Sequence, residues 1–388
     1  MIIAGEASGD LHGARLARAL NQQAPKAFLF GIGGKAMRAA GVRLIVDNAS
    51  LSVVGITEVI AKLPTIYRAM ATVRHALGSL KPDLLIAIDF PDFNFRAAAA
   101  AKKIAIPVLY YISPQLWAWR PKRVTKIQRL VDHMAVILPF EAPFYRRHHV
   151  PTTFVGHPLL DGLPSLPEPD APSEPDAPPT IGLLPGSRDR EVSTLLPIML
   201  QAAQQIHQRR PMVRFAVSCA DSIDPELVHG IIGPYTSSLN IATIRGPVVQ
   251  VFQQSRLLVA ASGTVTLEAA LYGIPTVIVY KVSPLSYWLG KRLITVKHIG
   301  LVNLIVQKEL LPELIQHEAS PENIAASVGG MLDDPEYFRR IKGELAEVRG
   351  LLGGPGASDR VAEIALELAG LSPVAASRTE GASHSRGQ

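Results

Sequence analysis

Short, uninterrupted apolar runs alternate with amphipathic stretches along most of the chain. Leu84-Leu85-Ile86-Ala87-Ile88, Val108-Leu109-Tyr110-Tyr111-Ile112 and Met134-Ala135-Val136-Ile137-Leu138 lack the two-residue alternation of a half-exposed strand. Such runs are strands covered on both faces, and with helical segments between them they predict a parallel sheet of repeated βαβ units. A second series opens at Thr180-Ile181-Gly182-Leu183-Leu184. It continues through Arg214-Phe215-Ala216-Val217-Ser218, Leu257-Leu258-Val259-Ala260 and Thr276-Val277-Ile278-Val279-Tyr280. From Leu163 to Pro179 proline recurs about every third residue, which leaves no room for a packed element and reads as a linker. The pattern predicts two α/β domains, 1–162 and 180–371, facing each other across a hinge, with the last helices of the second free to pack on the first. Residues 372–388 are small and polar, so a disordered tail is expected.

Composition adds limits. The 388 residues exceed what one core usually supports, in keeping with two domains, and 48% apolar against 19% charged residues is a globular balance. Cys219 is the single cysteine, so no internal disulfide forms, and within an apolar strand it reads as a small buried hydrophobe. A net charge of +6 and a pI near 9.4 favour an anionic partner: nucleic acid, a membrane surface or phosphorylated substrates. Met1-Ile2-Ile3-Ala4 is too short for a signal peptide, and no stretch reaches about 18 uncharged apolar residues. A cytoplasmic protein without a spanning helix is expected.

Candidate chemistry gathers where strands end. Gly5-Glu6-Ala7-Ser8-Gly9-Asp10 follows the first strand and opens a helix, where glycines let backbone amides approach a ligand or simply make a tight turn. It departs from the dinucleotide fingerprint G-x-G-x-x-G, so NAD is poorly supported. In the second half, Leu184-Pro185-Gly186-Ser187-Arg188 adds a guanidinium to the same device, a combination suited to a diphosphate. Ala261-Ser262-Gly263-Thr264 repeats it, with Glu268 one turn on to accept from sugar hydroxyls; taken alone, Ser262 or Thr264 is equally a simple N-cap and Glu268 a solvated helix residue. Asp89, after the strand ending at Ile88 and beside Phe90, is the candidate general base, and Asp92 the candidate N-cap of the next helix. Ser113-Pro114-Gln115-Leu116-Trp117-Ala118-Trp119-Arg120 leaves another strand end; its tryptophans suit either a cleft cover or ordinary core. The cations Arg120, Lys122, Arg123, Lys126 and Arg129 form either an anion-attracting or a solvated face. His12 and His157 suit a structural role or the cleft. No residue set has metal-ligand spacing, so neither metal nor cofactor is expected.

These motifs, with Ile88-Asp89-Phe90-Pro91-Asp92-Phe93-Asn94, Leu138-Pro139-Phe140-Glu141 and Asn303-Leu304, resemble the lipid-A-disaccharide synthase family in order and spacing, from Gly5 to about Glu367. The resemblance implies two Rossmann-like domains with the active site in the cleft between them, the GT-B architecture. It also implies transfer from UDP-2,3-diacylglucosamine to 2,3-diacylglucosamine 1-phosphate, giving UDP and a β-1,6-linked disaccharide. Carried over, it makes Asp89 the residue needed for activity, and Arg188, Glu268 and Asn303 residues around the UDP. Gly186, Ser187, Ser262, Gly263 and Thr264 complete the expected UDP set; Gly5, Glu6, Ser8, Gly9, Asp10, Ser113 and Trp117 are the expected substrate contacts. The implied partners are the two lipids and the inner-membrane surface, held peripherally, with no nucleic acid and with a homodimer left open. A UDP-sugar epimerase and a non-catalytic nucleotide- or nucleic-acid-binding protein are the alternatives. The lipid substrates also bear on Val59, Leu63, Ile66, Met70, Val73 and Leu77, one apolar stripe at steps of four and three that Pro64 is expected to break. It suits the core or a bilayer, and acylated substrates favour the bilayer.

Overall fold

The computed structural model describes residues 1–51, 56–119, 123–162, 178–283, 287 and 296–371, with backbone alone at 56–61 and 119. The chain divides into two compact units, Met1–Gly162 with Gly354–Gln388, and Leu163–Gly353. The 163–177 linker and the 372–388 tail lie outside the described residues.

Seven parallel strands form the first unit's sheet in the order β3-β2-β1-β4-β5-β6-β7. They are β1 (Ile2–Ala4), β2 (Phe30–Gly33), β3 (Arg43–Asp47), β4 (Leu85–Ile88), β5 (Val108–Tyr111), β6 (His133–Val136) and β7 (Thr152–Phe154). Every residue of β1, β4 and β5 is buried, whereas β3 and β7 at the edges are half-exposed. Helices α1 (Ala7–Gln23), α2 (Lys35–Ala39), α3 (Ile56–Leu80), α4 (Pro91–Lys102), α5 (Leu116–Trp119), α6 (Val124–Leu130) and α7 (Glu141–Arg147) connect the strands. In α4 the fully buried Ala97, Ala98 and Ala101 let the helix lie close to the sheet.

From Ile66 onward the α3 stripe faces this core, while Leu63 is exposed. Met70, Val73 and Leu77 are 4%, 0% and 1% exposed, and Ile66 packs against the same cluster. The bilayer reading of Ile66 and Met70 is therefore corrected; Val59's side chain lies outside the described residues. Nor does Pro64 divide the helix, which runs through it. The missing N–H removes one bond of the ladder, while the core contacts of the stripe keep the following turns in place.

The second unit carries six parallel strands in the order β10-β9-β8-β11-β12-β13. They are β8 (Thr180–Leu184), β9 (Arg214–Cys219), β10 (Ile241–Arg245), β11 (Leu257–Ala261), β12 (Thr276–Tyr280) and β13 (Glu313–Ile315). Its helices are α8 (Asp189–Arg209), α9 (Pro225–Ile232), α10 (Val249–Gln254), α11 (Thr264–Leu271), α12 (Leu301–Val306), α13 (Pro321–Asp333) and α14 (Pro335–Leu351). The last helix, α15 (Ala357–Leu368), belongs to the first unit. There the Asp161 carboxylate accepts from the N–H groups of Gly356, Ala357 and Ser358 at 2.7, 3.0 and 3.1 Å, capping α15 from another part of the chain.

Both sheets reverse strand order at one point, between β1 and β4 in the first unit and between β8 and β11 in the second. Ligands of open α/β sheets sit outside the carboxyl ends of the strands at such a point. Four segments leave there: the loops after Ala4, Ile88, Leu184 and Ala261.

Candidate functional site

In the first unit, Asp89 and Phe90 leave β4 as consecutive residues in the left-handed region, with φ of 44° and 50°. The Asp89 N–H donates to the Tyr111 carbonyl at 3.1 Å. Its own carbonyl accepts from the Tyr110 hydroxyl at 2.7 Å and from Asn94 Nδ2 at 2.6 Å. A Cβ on Gly5 would fall within the Phe90 ring, so the first glycine of the opening motif makes room for that ring. Burial, reinforced by the charge of Glu6, pushes the Asp89 carboxyl from 3.8 up to about 6, while the Phe90 N–H partly opposes the shift. A carboxylate so tuned suits proton abstraction near neutral pH. The expected cap Asp92 is instead in the first turn of α4, whose N-cap is Phe90, and pairs with Arg123 at 3.2 Å.

Around this elbow the expected contacts divide. Glu6 and Ser8 are exposed at the start of α1, which has no side-chain cap, while Gly5 and Gly9 are buried. Asp10 is turned to the backbone at the start of α2. Its carboxylate accepts from the N–H groups of Gly34, Ala36 and Met37 at 2.7, 2.9 and 3.0 Å, because α2 starts after a glycine that brings no cap of its own. Ser113 is also turned inward: it is buried, and its hydroxyl meets the Tyr145 hydroxyl at 2.6 Å and the Pro114 carbonyl at 2.9 Å. Trp117 is half-buried, edge-on to Phe140 at 4.7 Å, with its indole N–H on Glu141 Oε1 at 3.0 Å. Burial pushes Glu141 up to about 7 against the bonds from Leu138 N–H and Trp117. Of the basic run, Lys126 lies 5.3 Å from the centre of the Phe95 ring, and Arg120 and Lys122 lie outside the described residues. Burial holds His12 and His157 near 4 and hence neutral; His157 Nδ1 accepts from the Leu159 N–H at 3.2 Å, a turn-forming role.

In the second unit, Gly186 has φ of 120°, and a Cβ there would strike the Glu191 carboxylate. That carboxylate organises the loop, accepting from the Ser187 N–H at 3.2 Å and from Arg188 Nη1 at 3.0 Å. The Arg188 side chain is 66% exposed, so its remaining donors face solvent. The N-termini of α8 and α11 have no side-chain cap, which leaves their first amides open to an anion. Gly263 and Thr264 are exposed and Ser262 half-buried at the start of α11. Glu268 is half-buried, and burial raises its pKa.

Asn303 is held within the second unit. It is 0% exposed; Oδ1 accepts from the Leu310 and Leu311 N–H groups, both at 2.9 Å, and Nδ2 donates to the Leu311 carbonyl and to Glu313 Oε1, both at 2.7 Å. All four bonding positions of the amide are used within the protein. Among the described residues no group of three or more His, Cys, Asp or Glu side chains is placed to hold a metal, and no helix is long and apolar enough to cross a membrane.

A family model described as lipid-A-disaccharide synthetase matches residues 1–345. The chain is 48% identical over 376 residues to the lipid-A-disaccharide synthase of Geobacter sulfurreducens, covering 95% of this chain and 97% of that one. To the Coxiella burnetii synthase it is 42% identical over 369 residues, covering 94% and 96%. Two solved structures share the fold at low identity. The UDP-GlcNAc 2-epimerase of Neisseria meningitidis matches with TM-score 0.58 at 13% identity over 92% of this chain and 97% of the other. The calicheamicin glycosyltransferase CalG4 matches with TM-score 0.60 at 17% identity over 94% and 96%. Two parallel sheets in this arrangement are the GT-B-like fold, and with the family match over most of its length the chain belongs to the lipid-A-disaccharide synthetases.

Proposed function

We propose that this glycosyltransferase joins UDP-2,3-diacylglucosamine to 2,3-diacylglucosamine 1-phosphate, with Asp89 taking the proton from the acceptor 6-hydroxyl as the oxygen attacks the anomeric carbon. The new C–O bond forms opposite the breaking bond to the diphosphate, which inverts the configuration and releases UDP. The observation that carries the role of Asp89 is its place at the first sheet's switch point with a pKa near 6, ionised at neutral pH yet still basic. The uncapped starts of α8 and α11 and the free donors of Arg188 supply fixed positive charge for the leaving diphosphate, and Glu268 accepts from sugar hydroxyls. Acylated substrates call for peripheral contact with the inner-membrane surface; Leu63 and Tyr67 on α3, 39% and 62% exposed, are apolar enough to serve it.

Asp89→Asn keeps the shape of the side chain and removes the base. Turnover is expected to fall by about 10² or more with folding intact. Near-normal turnover of the folded variant removes Asp89 from the mechanism.

A further inference from the structure

Two consecutive non-glycine residues in the left-handed region form a conformation that persists only where the surroundings impose it, and for a residue as bulky as Phe90 it is an outlier. Three contacts impose it here. The Tyr110 hydroxyl and Asn94 Nδ2 both donate to the Asp89 carbonyl, at 2.7 and 2.6 Å, and Nδ2 also reaches the Ile88 carbonyl at 3.2 Å. The Phe90 ring lies on the bare backbone of Gly5. On the other side of the residue, the Asp89 N–H remains bonded to β5 through the Tyr111 carbonyl. With the N–H and carbonyl both gripped, the direction of the Asp89 Cα–Cβ bond is fixed.

We propose that Tyr110 and Asn94 are positioning residues for the reaction, holding the Asp89 carbonyl so that the elbow aims the carboxylate. The inference rests on Asp89 being the proton acceptor. Both side chains are 0% exposed, so they act through Asp89 and not on substrate. Packing alone does not account for the Tyr110 hydroxyl. The ring already lies against Phe95, with centroids 5.9 Å apart, and phenylalanine would fill the same space; what the hydroxyl adds is its bond to the Asp89 carbonyl. Asn94 likewise stands on the first turns of α4, where an amide contributes nothing to helix propensity but reaches back over the elbow.

The test compares Tyr110→Phe, Asp89→Asn and the double variant in steady-state kinetics with both lipid substrates. Tyr110→Phe is expected to lower kcat by about tenfold or more, the scale of a misaimed reacting group, with the KM for the UDP-sugar within about twofold. In the Asp89→Asn background the same change should alter the residual rate by less than about twofold, because the hydroxyl acts through the carboxylate already removed. The acid limb of the kcat/KM profile, expected near pH 6 in the wild type, should move toward lower pH in Tyr110→Phe as the loosened carboxyl gains water. Full activity in Tyr110→Phe, a loss that multiplies with that of Asp89→Asn, or a loss confined to KM overturns the proposal. If Tyr110→Phe does not accumulate folded, Asn94→Ser weakens the same grip and carries the same expectations. The two readings fail separately: an active Asp89→Asn enzyme removes the base assignment, whereas an inactive Asp89→Asn with an unaffected Tyr110→Phe removes only the positioning role.

Discussion

Replacing Asp89 by Asn should cost activity and at the same time strengthen the fold. A carboxyl whose pKa is raised by burial is bound more tightly to its proton in the folded than in the unfolded chain, so ionising it works against folding. The rise from 3.8 to about 6, at about 1.4 kcal/mol per pH unit, sets a ceiling of about 3 kcal/mol on that cost. The cost is absent well below pH 3.8, grows between pH 3.8 and about 6, and is complete above. Asparagine carries no charge at any pH and escapes it. The side chain keeps some contact with solvent, so about half the ceiling, roughly 1.5 kcal/mol at pH 8, is the expected gain, falling to about a third of that at pH 4.5. In a unit of this size such a gain corresponds to about 3–6 °C in Tm. Scanning calorimetry of both proteins at pH 8 and pH 4.5 reads it directly. An Asn variant no more stable than wild type at pH 8, or one whose advantage grows toward acid, refutes the argument that a buried charge is held at the end of β4.

Arg188→Ala should weaken UDP binding by about 1.5 kcal/mol, the lower end for a bond to a charged group because Arg188 already shares Glu191; calorimetric titration with unchanged affinity would show that the loop after β8 is misassigned. Changing Ile66 and Met70 together to Ser should destabilise the first unit by about 3 kcal/mol or more, read by urea denaturation, since Met70 is core; a variant of native stability contradicts the orientation of α3. Turnover should be unchanged by EDTA, and activity lost to the chelator and restored by Mg²⁺ would contradict the reading that the diphosphate charge is met by Arg188 and helix termini.

The interior of both sheets is legible in the sequence because β4, β5, β8, β11 and β12 are covered on both faces and read as unbroken apolar runs. The edge strands β3, β7, β10 and β13 are half-exposed, and their mixed patterns carry no such signal. The positions of Gly5, Asp89, Gly186, Arg188 and Ser262 at strand ends are legible for the same reason. What spacing does not reveal is the far partner of a polar side chain. Asp10 stands inside a glycine motif and yet caps a helix 24 residues on. Asn303 reads as a ligand contact, and its bonds go to backbone groups and Glu313. Glu141, 24 residues from Trp117, has no local sign of burial, and the grip of Tyr110 on Asp89 depends on the register of β4 against β5.

The claim that the enzyme transfers a diacylglucosamine from UDP to a second lipid is tested most directly by mass spectrometry of the reaction. Purified protein is incubated with UDP-2,3-diacylglucosamine alone and together with 2,3-diacylglucosamine 1-phosphate. A tetraacylated disaccharide 1-phosphate and an equal amount of UDP, formed only when both lipids are present, is the result expected of the transferase. Conversion of the UDP-sugar to an isomer of the same mass, or release of UDP at the same rate without the acceptor, would contradict it.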